Sequence, residues 1–501
     1  MRSFQLWSRL LLLLLALSMV LTAFAACATE DDGDDYQPQD TGDGNVTIDP
    51  NEGLYDEDGY LLDQLPDDLD YQNKELTVLC FASPANEFGC DNTNGTPIND
   101  ALVRRDINVE ERLGVNLQYL TDLASSSITE VTHYVELVRT ASEANTPYDL
   151  MALYGRTAAV LSSRGYLQNI LDIDYSHLNF ENPWWTQNLM DELVVGKSLY
   201  IISGDITPSL YEQAYTLFYN VDMVKDFQVK DPYDHVKENT WTMETFRSTI
   251  KDVTVNQNGS QAYGFVSNYY TIPAMLHGCG VRITEMDENH TPRLSDGLFS
   301  ERTIDIVDDL QAWSREDNFL VDKGSAVPRK HFVDGNAMFS ADIIIECFNF
   351  VESCEFAYSV VPTPKLTQEQ DRYYTTLSGF TFFCLMKGLS QEELTIRSAV
   401  LECMCSEGYR LTSPAVLDTC LKSRYAQTEE MSEMLSLIMD SVYYDFGRIY
   451  SSSDDKFICD RVGLVIASST ETWSSYKNAN KTMLENRFNT LVETFLALEG
   501  Q

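Results

Sequence analysis

The sequence is short of basic residues and of histidine, and these shortages limit what the protein can bind or catalyse. Its 35 lysines and arginines stand against 77 acidic residues, which gives a formal net charge of −42. A chain this acidic repels nucleic acid and anionic lipid surfaces, so neither is an expected partner. The six histidines are scattered singly between His133 and His331, and no GxSxG, HExxH or GxxxxGK[ST] motif is present. We therefore expect no catalytic residue, no metal ion and no cofactor.

The eleven cysteines do not follow the pattern of a disulfide scaffold or of a zinc site. Cys403 and Cys405 are two apart in a helix-like run, so they point to different faces and have no neighbouring CxxC motif. Cysteines in apolar runs act as small buried hydrophobes. If the chain is exported, a disulfide between cysteines that are close in sequence, such as Cys347 and Cys354, is chemically possible.

The N-terminus carries the one long apolar run of the chain. Arg2 and Arg9 give it a positive start, residues 10–24 are almost wholly apolar, and small residues precede Cys27. The pattern resembles a bacterial lipoprotein signal, in which residues 1–26 are removed and the Cys27 thiol is lipidated. A retained membrane helix and simple secretion are the alternatives, since about 17 residues is the least that spans a bilayer. In every case the rest of the chain faces the outside, and the lipid would anchor it to the cell membrane on the extracellular or periplasmic side.

Residues 27–73 form an expected acidic, disordered tether. From 28 to 73 the chain has 16 Asp or Glu and no Lys or Arg. Such a segment cannot bury enough apolar surface to offset its ordering entropy, and its charges repel one another. It would act as a spacer from the envelope or as a solubilising leader. With the tether and the two signal arginines set aside, residues 74–501 still carry a formal charge of −28.

The chain after the tether alternates between strand and helix patterns. Apolar runs at 76–81 and 150–153, and an alternating pattern at 115–119, predict three strands. Helical patterns occupy 101–113, with Gly114 as the expected stop, and 128–138 between the strands. Strands that alternate with helices form right-handed crossovers and a parallel sheet, so this part is a βαβαβ unit. Further along the chain, Thr242 is the expected N-terminal cap of another helix.

A parallel sheet indicates a ligand site even without a motif, because such sheets bind ligands beyond the carboxyl ends of their strands. The polar and aromatic residues that follow the three strands are therefore candidate ligand contacts. They are Ser83, Asn86 and Glu87 after the first strand, Thr121 and Asp122 after the second, and Tyr154 and Arg156 after the third.

Short motifs follow one another in a fixed order along residues 74–501. They are VEERLGV at 109–115, YDL at 148–150, SRGYLQNI at 163–170, GKSLY at 196–200, FYN at 218–220, WT at 241–242 and FVDGNAMF at 332–339. In this order and spacing they resemble the bacterial extracellular solute-binding proteins of ABC importers, in the broad family 1 group that includes many oligosaccharide binders.

The resemblance implies an α/β fold of two lobes that close on a ligand like a hinged clamp. Each lobe would be a mainly parallel sheet flanked by helices, with the ligand cleft between the lobes. Residues 74–212 and 368–425 would form the first lobe, and residues 213–367 and 426–501 the second. About 430 residues exceed what one hydrophobic core usually organises, which favours two lobes independently.

The same resemblance implies a monomeric binding protein that captures a solute and delivers it to the permease subunits of an ABC transporter. A carbohydrate is the favoured solute, and a peptide or another polar solute is the alternative. Asp205, Glu212 and Trp473 are further expected ligand contacts, Trp473 because sugar-binding relatives often place a stacking aromatic in this late segment. Trp184 and Trp185 are adjacent aromatics that could stack on sugar rings, but in the family such a segment commonly packs on the first lobe, so packing is their expected role.

A secreted carbohydrate-active hydrolase is the competing hypothesis from another functional class. It requires two carboxyl groups held about 5 to 10 Å apart around a glycosidic oxygen. With 77 acidic residues in the chain, neighbouring carboxylates are too common to indicate such a pair.

Overall fold

The computed structural model describes residues 54–82, 87–90, 92–122, 128–255, 259, 261–450 and 458–498. The signal segment, Cys27 and the first part of the tether lie outside these residues, so lipidation stays a prediction. In the described part, no helix combines the length and the apolar character that crossing a membrane requires.

Helices and strands alternate along most of the described chain. The strands are β1 Lys74–Cys80, β2 Val115–Thr121, β3 Leu150–Tyr154, β4 Tyr215–Asn220, β5 Tyr263–Asn268, β6 Thr284–Met286, β7 Pro292–Leu294, β8 Phe319–Asp322, β9 Ala337–Ile343, β10 Tyr358–Val361 and β11 Thr381–Cys384. The helices of the first half are α1 Pro97–Leu113, α2 Ile128–Glu143, α3 Gly155–Ser163, α4 Gln187–Leu193, α5 Ser209–Glu212, α6 Val221–Asp226, α7 Pro232–Lys237 and α8 Met243–Ile250. Those of the second half are α9 Pro273–Gly278, α10 Glu301–Trp313, α11 Ala326–Val333, α12 Glu346–Ser353, α13 Gln391–Glu407, α14 Glu429–Asp440, α15 Phe446–Tyr450, α16 Ile458–Ile466 and α17 Trp473–Leu498.

The first sheet contains the predicted βαβαβ unit. Its strand order is β11-β3-β1-β2, with β1 parallel to both β2 and β3, as the alternation of strands and helices predicted. Strand β11 comes from much later in the chain and pairs antiparallel with β3, so that Thr381 lies opposite Tyr154. The run around Cys384 is strand-like, but no local pattern in the sequence predicts its pairing with β3, because the two strands are more than 200 residues apart.

The second sheet has the order β10-β4-β9-β5-β8. Strands β9, β5 and β8 are mutually parallel, whereas β4 runs antiparallel to both of its neighbours. The first residue of β4, Tyr215, therefore lies opposite the last residue of β9, Ile343. The carboxyl ends of the parallel strands and the start of β4 share one edge of this sheet.

Three chain segments are joined by hydrogen bonds between the two sheets. Tyr215 donates its N–H to the carbonyl of Thr376 at 3.0 Å, at the point where the chain enters β4. Thr375 donates its N–H to the carbonyl of Ser441 at 2.9 Å, and Tyr443 donates back to Thr375 at 3.0 Å. We call residues 213–215, 375–378 and 441–443 the linking segments. The lobe boundaries given above stay predictions.

Side chains from both sheets belong to one continuous hydrophobic core. This core includes Leu76 and Val78 of β1 together with Leu113 of α1 and Val138 of α2. It also includes Trp241 and Phe339, whose rings stack at 5.8 Å between centroids. Strand β3 is buried on both faces, which accounts for its continuous apolar run.

Local signals in the sequence set several helix boundaries. Helix α1 ends at Gly114, which adopts the left-handed conformation with φ +60°. A Cβ at Gly114 would also lie 2.2 Å from Oδ1 of Asp70, so another residue would be strained there and would displace that carboxylate. Helix α8 begins after Thr242, whose hydroxyl accepts a hydrogen bond from the N–H of Thr245 at 3.3 Å. Both boundaries are confirmed as predicted.

The adjacent tryptophans pack inside the protein, as expected. The indole N–H groups of Trp184 and Trp185 both donate to the carboxylate of Glu402 on α13, at 3.1 and 2.8 Å. Asn182 donates to the same carboxylate from its amide at 2.7 Å, and the N–H of Asn179 donates at 3.1 Å. Four donors thus satisfy one buried carboxylate, which fixes the segment 179–185 against α13.

The part of the expected tether that the structure describes is packed and not extended. Leu65 is buried, and its carbonyl accepts from Arg112 of α1 at 3.0 Å. Tyr71 donates its N–H to the carbonyl of Leu113 at 2.8 Å. The acidic composition of residues 27–73 concealed apolar side chains such as Leu65, which is buried beside α1. The expectation of disorder was therefore wrong for 54–73, while 27–53 lie outside the described residues.

Candidate ligand-binding site

A cavity of about 460 Å³ opens where the edges of the two sheets face each other across the linking segments. Its volume lies within the range of about 300 to 1,000 Å³ that is typical of small-molecule sites. The residues that line it are Tyr154, Gly155, Arg156, Tyr215, Tyr270, Pro273, Leu377, Ser378, Gly379, Phe380, Phe382, Tyr443, Tyr444, Asp445, Arg448 and Ile449.

Tyr154 and Arg156 enter the cavity from the first sheet. Tyr154 is the last residue of β3, and Arg156 belongs to the first turn of α3, which begins directly after the strand. The turn between them is fixed because Gly155 donates its N–H to the carbonyl of Phe380 at 3.0 Å. The abrupt change from strand to helix places both side chains beyond the carboxyl end of the sheet, as predicted.

Tyr215 and Arg448 form a second wall. The Arg448 guanidinium lies over the Tyr215 ring, 5.3 Å from its centroid, and also donates to the Tyr215 hydroxyl at 3.3 Å. Its Nε–H donates to the carbonyl of Leu377 in a linking segment at 2.8 Å. Arg448 thus connects the start of β4 to the linking segments through a cation–π contact and two hydrogen bonds.

Asp445 lines the cavity, but its carboxylate is occupied by protein donors. Its Oδ2 accepts from the N–H of Ile283 at 2.7 Å. Its Oδ1 accepts from the Thr284 hydroxyl at 2.7 Å and from the N–H of Gly447 at 2.9 Å. These bonds hold the loop that presents Tyr444 and the start of α15, so Asp445 shapes the wall of the cavity.

Aromatic side chains form much of the lining. They are Tyr154, Tyr215, Tyr270, Phe380, Phe382, Tyr443 and Tyr444. The Tyr270 side chain follows β5 and is 58% exposed, so one of its faces is open to solvent. Aromatic faces bind apolar ring surfaces, and tyrosine hydroxyls and guanidinium groups supply hydrogen bonds at their edges. This combination suits a ligand with flat apolar faces and a polar rim.

A cluster of buried polar residues lies behind Phe380 and Phe382. The Glu87 carboxylate accepts from the hydroxyls of Thr207 and Thr381 and from the N–H of Ser209, the last at 2.8 Å. Because Thr381 lies between the two cavity-lining phenylalanines, Glu87 supports the wall from behind.

Two further carboxyl groups near the linking segments are buried and have shifted pKa values. Burial, and secondarily the nearby Glu87 carboxylate, raises the pKa of Glu212 to about 8. Burial raises the pKa of Asp205 to about 7, although hydrogen bonds from Tyr211 and Ser413 oppose the shift. Oε2 of Glu212 has no hydrogen-bond partner among the described residues. Both carboxyl groups therefore favour the neutral, protonated form below about pH 7.

No group of three or more metal-binding side chains occurs in the part of the chain that the structure describes. Within that part there is also no disulfide, and Cys347 and Cys354 are both free thiols.

Comparison with known proteins identifies the fold. No family model matches the sequence, and no curated protein matches it. Several solved structures do match the chain. The maltose-binding periplasmic protein MalE of Listeria monocytogenes, in complex with maltose, has a TM-score of 0.55 at 14% identity. The match covers 83% of this chain and 98% of that one.

Two further solved structures have a similar fold. A cyclo/maltodextrin-binding protein with maltotetraose has a TM-score of 0.54 at 13% identity, covering 85% of this chain and 97% of that one. The GacH receptor of Streptomyces glaucescens has a TM-score of 0.53 at 14% identity, covering 84% and 99%. The chain has the two-lobe fold of these binding proteins. The predicted α/β clamp is confirmed.

The structure brings two of the predicted contact residues together at the cavity, Tyr154 and Arg156. Glu87, Asp205 and Glu212 are buried near it and do not line it. Ligand contact by Tyr154 and Arg156 stays a prediction, whereas burial favours a supporting role for the three carboxyl groups.

The other predicted contacts lie elsewhere. Trp473 is 0% exposed, and its ring stacks between those of Phe299 and Tyr476, so neither face is open to a ligand. Asp122 is exposed outside the cavity and forms a hydrogen bond with His133 at 2.7 Å. Ser83 and Asn86 lie outside the described residues.

The sequence analysis did not identify several of the residues that line the cavity. Tyr270 follows the carboxyl end of β5, so the rule that selected Tyr154 would have selected it once the second sheet was recognised. Three others come after helix α14, namely Tyr443, Tyr444 and Arg448. The only signal in the sequence that could have indicated them is the high number of aromatic residues in their segment.

Proposed function

We propose that this protein captures an extracellular carbohydrate and delivers it to the permease of an ABC importer. The observation that carries the proposal is the aromatic cavity at the facing edges of the two sheets. The fold supports it, because structures with the same fold include a maltose complex and a maltotetraose complex.

Capture follows from the position of the cavity. A ligand seated there contacts Tyr154 and Arg156 on one side and Tyr215 and Tyr270 on the other. It makes all of these contacts only when the lobes are closed, so its binding shifts the population from open to closed. The closed form is the one that a permease would distinguish from the empty protein.

Anchoring by a lipid on Cys27, a monomeric state and docking on permease subunits belong to the same proposal. A lipid anchor would keep the protein close to the permease on the outer face of the cell membrane. Residues 27–53 would then give the folded body room to reach it.

A glycoside hydrolase would need a second carboxyl group at the same site. Asp445 is the one carboxylate among the described lining residues, and protein donors occupy both of its oxygens. This arrangement favours binding over hydrolysis.

A thermal-unfolding screen of the purified protein against sugars and peptides tests the proposal. At about 100 times its dissociation constant, a ligand stabilises the folded state by roughly 2.7 kcal/mol. Mass spectrometry after long incubation should return the stabilising sugar unchanged. Cleavage of the sugar with turnover, or stabilisation by peptides alone, would refute carbohydrate capture.

A further inference from the structure

Glu192 and Arg282 form an ion pair that lies outside the cavity. Glu192 belongs to α4, whereas Arg282 lies between α9 and β6, 90 positions further along the chain. Their side chains are 15% and 34% exposed, so the pair is largely removed from solvent. Neither residue lines the cavity.

Both residues of this pair bind the loop that carries two of the cavity tyrosines. Arg282 donates to the carbonyl of Tyr444 at 2.9 Å, and its guanidinium lies 5.4 Å from the centroid of the Tyr443 ring. The second carboxylate oxygen of Glu192, Oε2, accepts from the N–H of Phe446 at 3.3 Å. We call residues 443–446 the cavity loop. One ion pair therefore holds both ends of this loop from outside the cavity.

The pair connects elements that are attached to different sheets. Helix α4 precedes a segment that joins the first sheet, where Ile202 and Phe383 of β11 exchange backbone hydrogen bonds at 2.9 and 2.8 Å. Helix α9 follows closely after β5 of the second sheet. The chain after α4 and the chain after α9 meet again where the N–H of Gly196 donates to the carbonyl of His290 at 3.0 Å. The position of the cavity loop thus depends on both sheets.

The charge on Glu192 matters for this role. Hydrogen bonds to a charged group are stronger than those between neutral groups. The Glu192 carboxylate has two acceptor oxygens, one for Arg282 and one for the N–H of Phe446, whereas an amide of the same size has only one. Glu192→Gln therefore leaves one of the two donors without its partner.

We infer that Glu192 and Arg282 are positioning residues of the ligand site. They hold the cavity loop so that the rings of Tyr443 and Tyr444 are in place before a ligand arrives. Such preorganisation raises affinity, because the loop does not have to be ordered during binding. The importance of these rings rests on the proposed carbohydrate capture, whereas the position of the loop can be measured without any ligand.

Fluorine NMR of the ligand-free protein tests the position of the loop. A single 3-fluorotyrosine, incorporated in place of Tyr444, reports the surroundings of that ring. The native sequence should give one resonance. Glu192→Gln should give a second or a shifted resonance, since losing a hydrogen bond to a charged group changes a conformational equilibrium by about tenfold. Arg282→Gln should give at least as large a change, and adding Glu192→Gln to it should change the spectrum little further, because both substitutions break one pair.

Glu285→Gln is the matched control. Glu285 lies on β6, close to Arg282 in the chain, and pairs with Arg293 of β7 at 2.8 Å. The side chains of this pair are 40% and 56% exposed, and neither residue lines the cavity. The spectrum of Glu285→Gln should equal that of the native sequence.

Calorimetry with two neutral glucose tetrasaccharides, one α-linked and one β-linked, extends the test to binding. Whichever sugar binds the native protein should bind Glu192→Gln about tenfold more weakly and Glu285→Gln equally well. A native-like spectrum of both Glu192→Gln and Arg282→Gln would overturn the inference, and so would a changed spectrum with unaltered affinity. Binding of neither sugar, together with stabilisation by peptides in the thermal screen, would refute carbohydrate capture, and the spectra would still decide whether the pair positions the loop.

Discussion

The ring of Tyr154 lies directly over the backbone of Gly379. A Cβ placed on Gly379 would come within 2.1 Å of the ring carbon Cε2 and of the hydroxyl oxygen. Tyr154 ends β3, whereas Gly379 precedes β11 and follows a linking segment. The absence of a side chain at one position therefore sets the ring orientation at another, 225 positions earlier in the chain.

Tyr154→Ala should weaken ligand binding by about 1 to 3 kcal/mol if the ring is an anchor of the ligand. The ring is only half-buried and lines the cavity, so the stability of the ligand-free protein should change much less. Calorimetry with the ligand and denaturant titration without it separate the two effects. A stability loss of about 3 to 5 kcal/mol with unaltered affinity would instead mark Tyr154 as a core residue.

Gly379→Ala should weaken binding to a similar extent, because the new methyl group displaces the Tyr154 ring from its place. The double variant with Tyr154→Ala should bind no more weakly than the single Tyr154→Ala variant, since both changes act through the same ring. Gly324→Ala is the control, because a Cβ there meets no atom within 4 Å. Additive losses in the double variant would contradict this coupling.

Glu212→Gln should make stability less dependent on pH. The folded-state pKa of Glu212 is about 8, whereas the unfolded group ionises near its ordinary value of about 4.3. Between these values the folded state holds the proton and the unfolded state does not, so stability is fully present at low pH and falls as pH rises towards 8.

The slope of this loss is at most about 1.4 kcal/mol for each pH unit. Denaturant titrations of the native protein and of Glu212→Gln at several pH values between 5 and 8 measure it. Asp205, with a pKa of about 7, gives a similar loss in both proteins and serves as an internal reference. Parallel curves for the two proteins would show that Glu212 is not held neutral.

Glu402→Gln should destabilise the protein by about 1 to 3 kcal/mol, because an amide oxygen cannot accept from all the buried donors that meet the carboxylate. Those donors include the indoles of Trp184 and Trp185. Tryptophan fluorescence during denaturation reports directly on this cluster. Glu392→Gln, at an exposed position near the start of the same helix, should change stability by much less.

Cys27→Ser should release the protein from membranes into the aqueous fraction. The lipid would be attached through the Cys27 thiol, and a serine hydroxyl does not replace it. Fractionation followed by a carbonate wash measures the release. Retention of the variant on membranes would instead identify residues 10–24 as an uncleaved membrane helix.

The sequence alone determined those features that depend on neighbouring residues. The parallel arrangement of β1, β2 and β3, the end of α1 at Gly114 and the start of α8 at Thr242 all follow from local periodicity and backbone conformation. Tyr154 was found in the same way, because the end of a strand can be recognised within a few residues.

The tertiary structure decided which side chains meet at the cavity. Strand β11 joins the first sheet from far along the chain, and Arg448 contacts Tyr215, more than 200 residues away. It also decided that Trp473 is enclosed between two rings and that residues 54–73 pack on α1. These outcomes depend on the apolar area buried between distant segments, and no composition or periodicity within one segment encodes its partner.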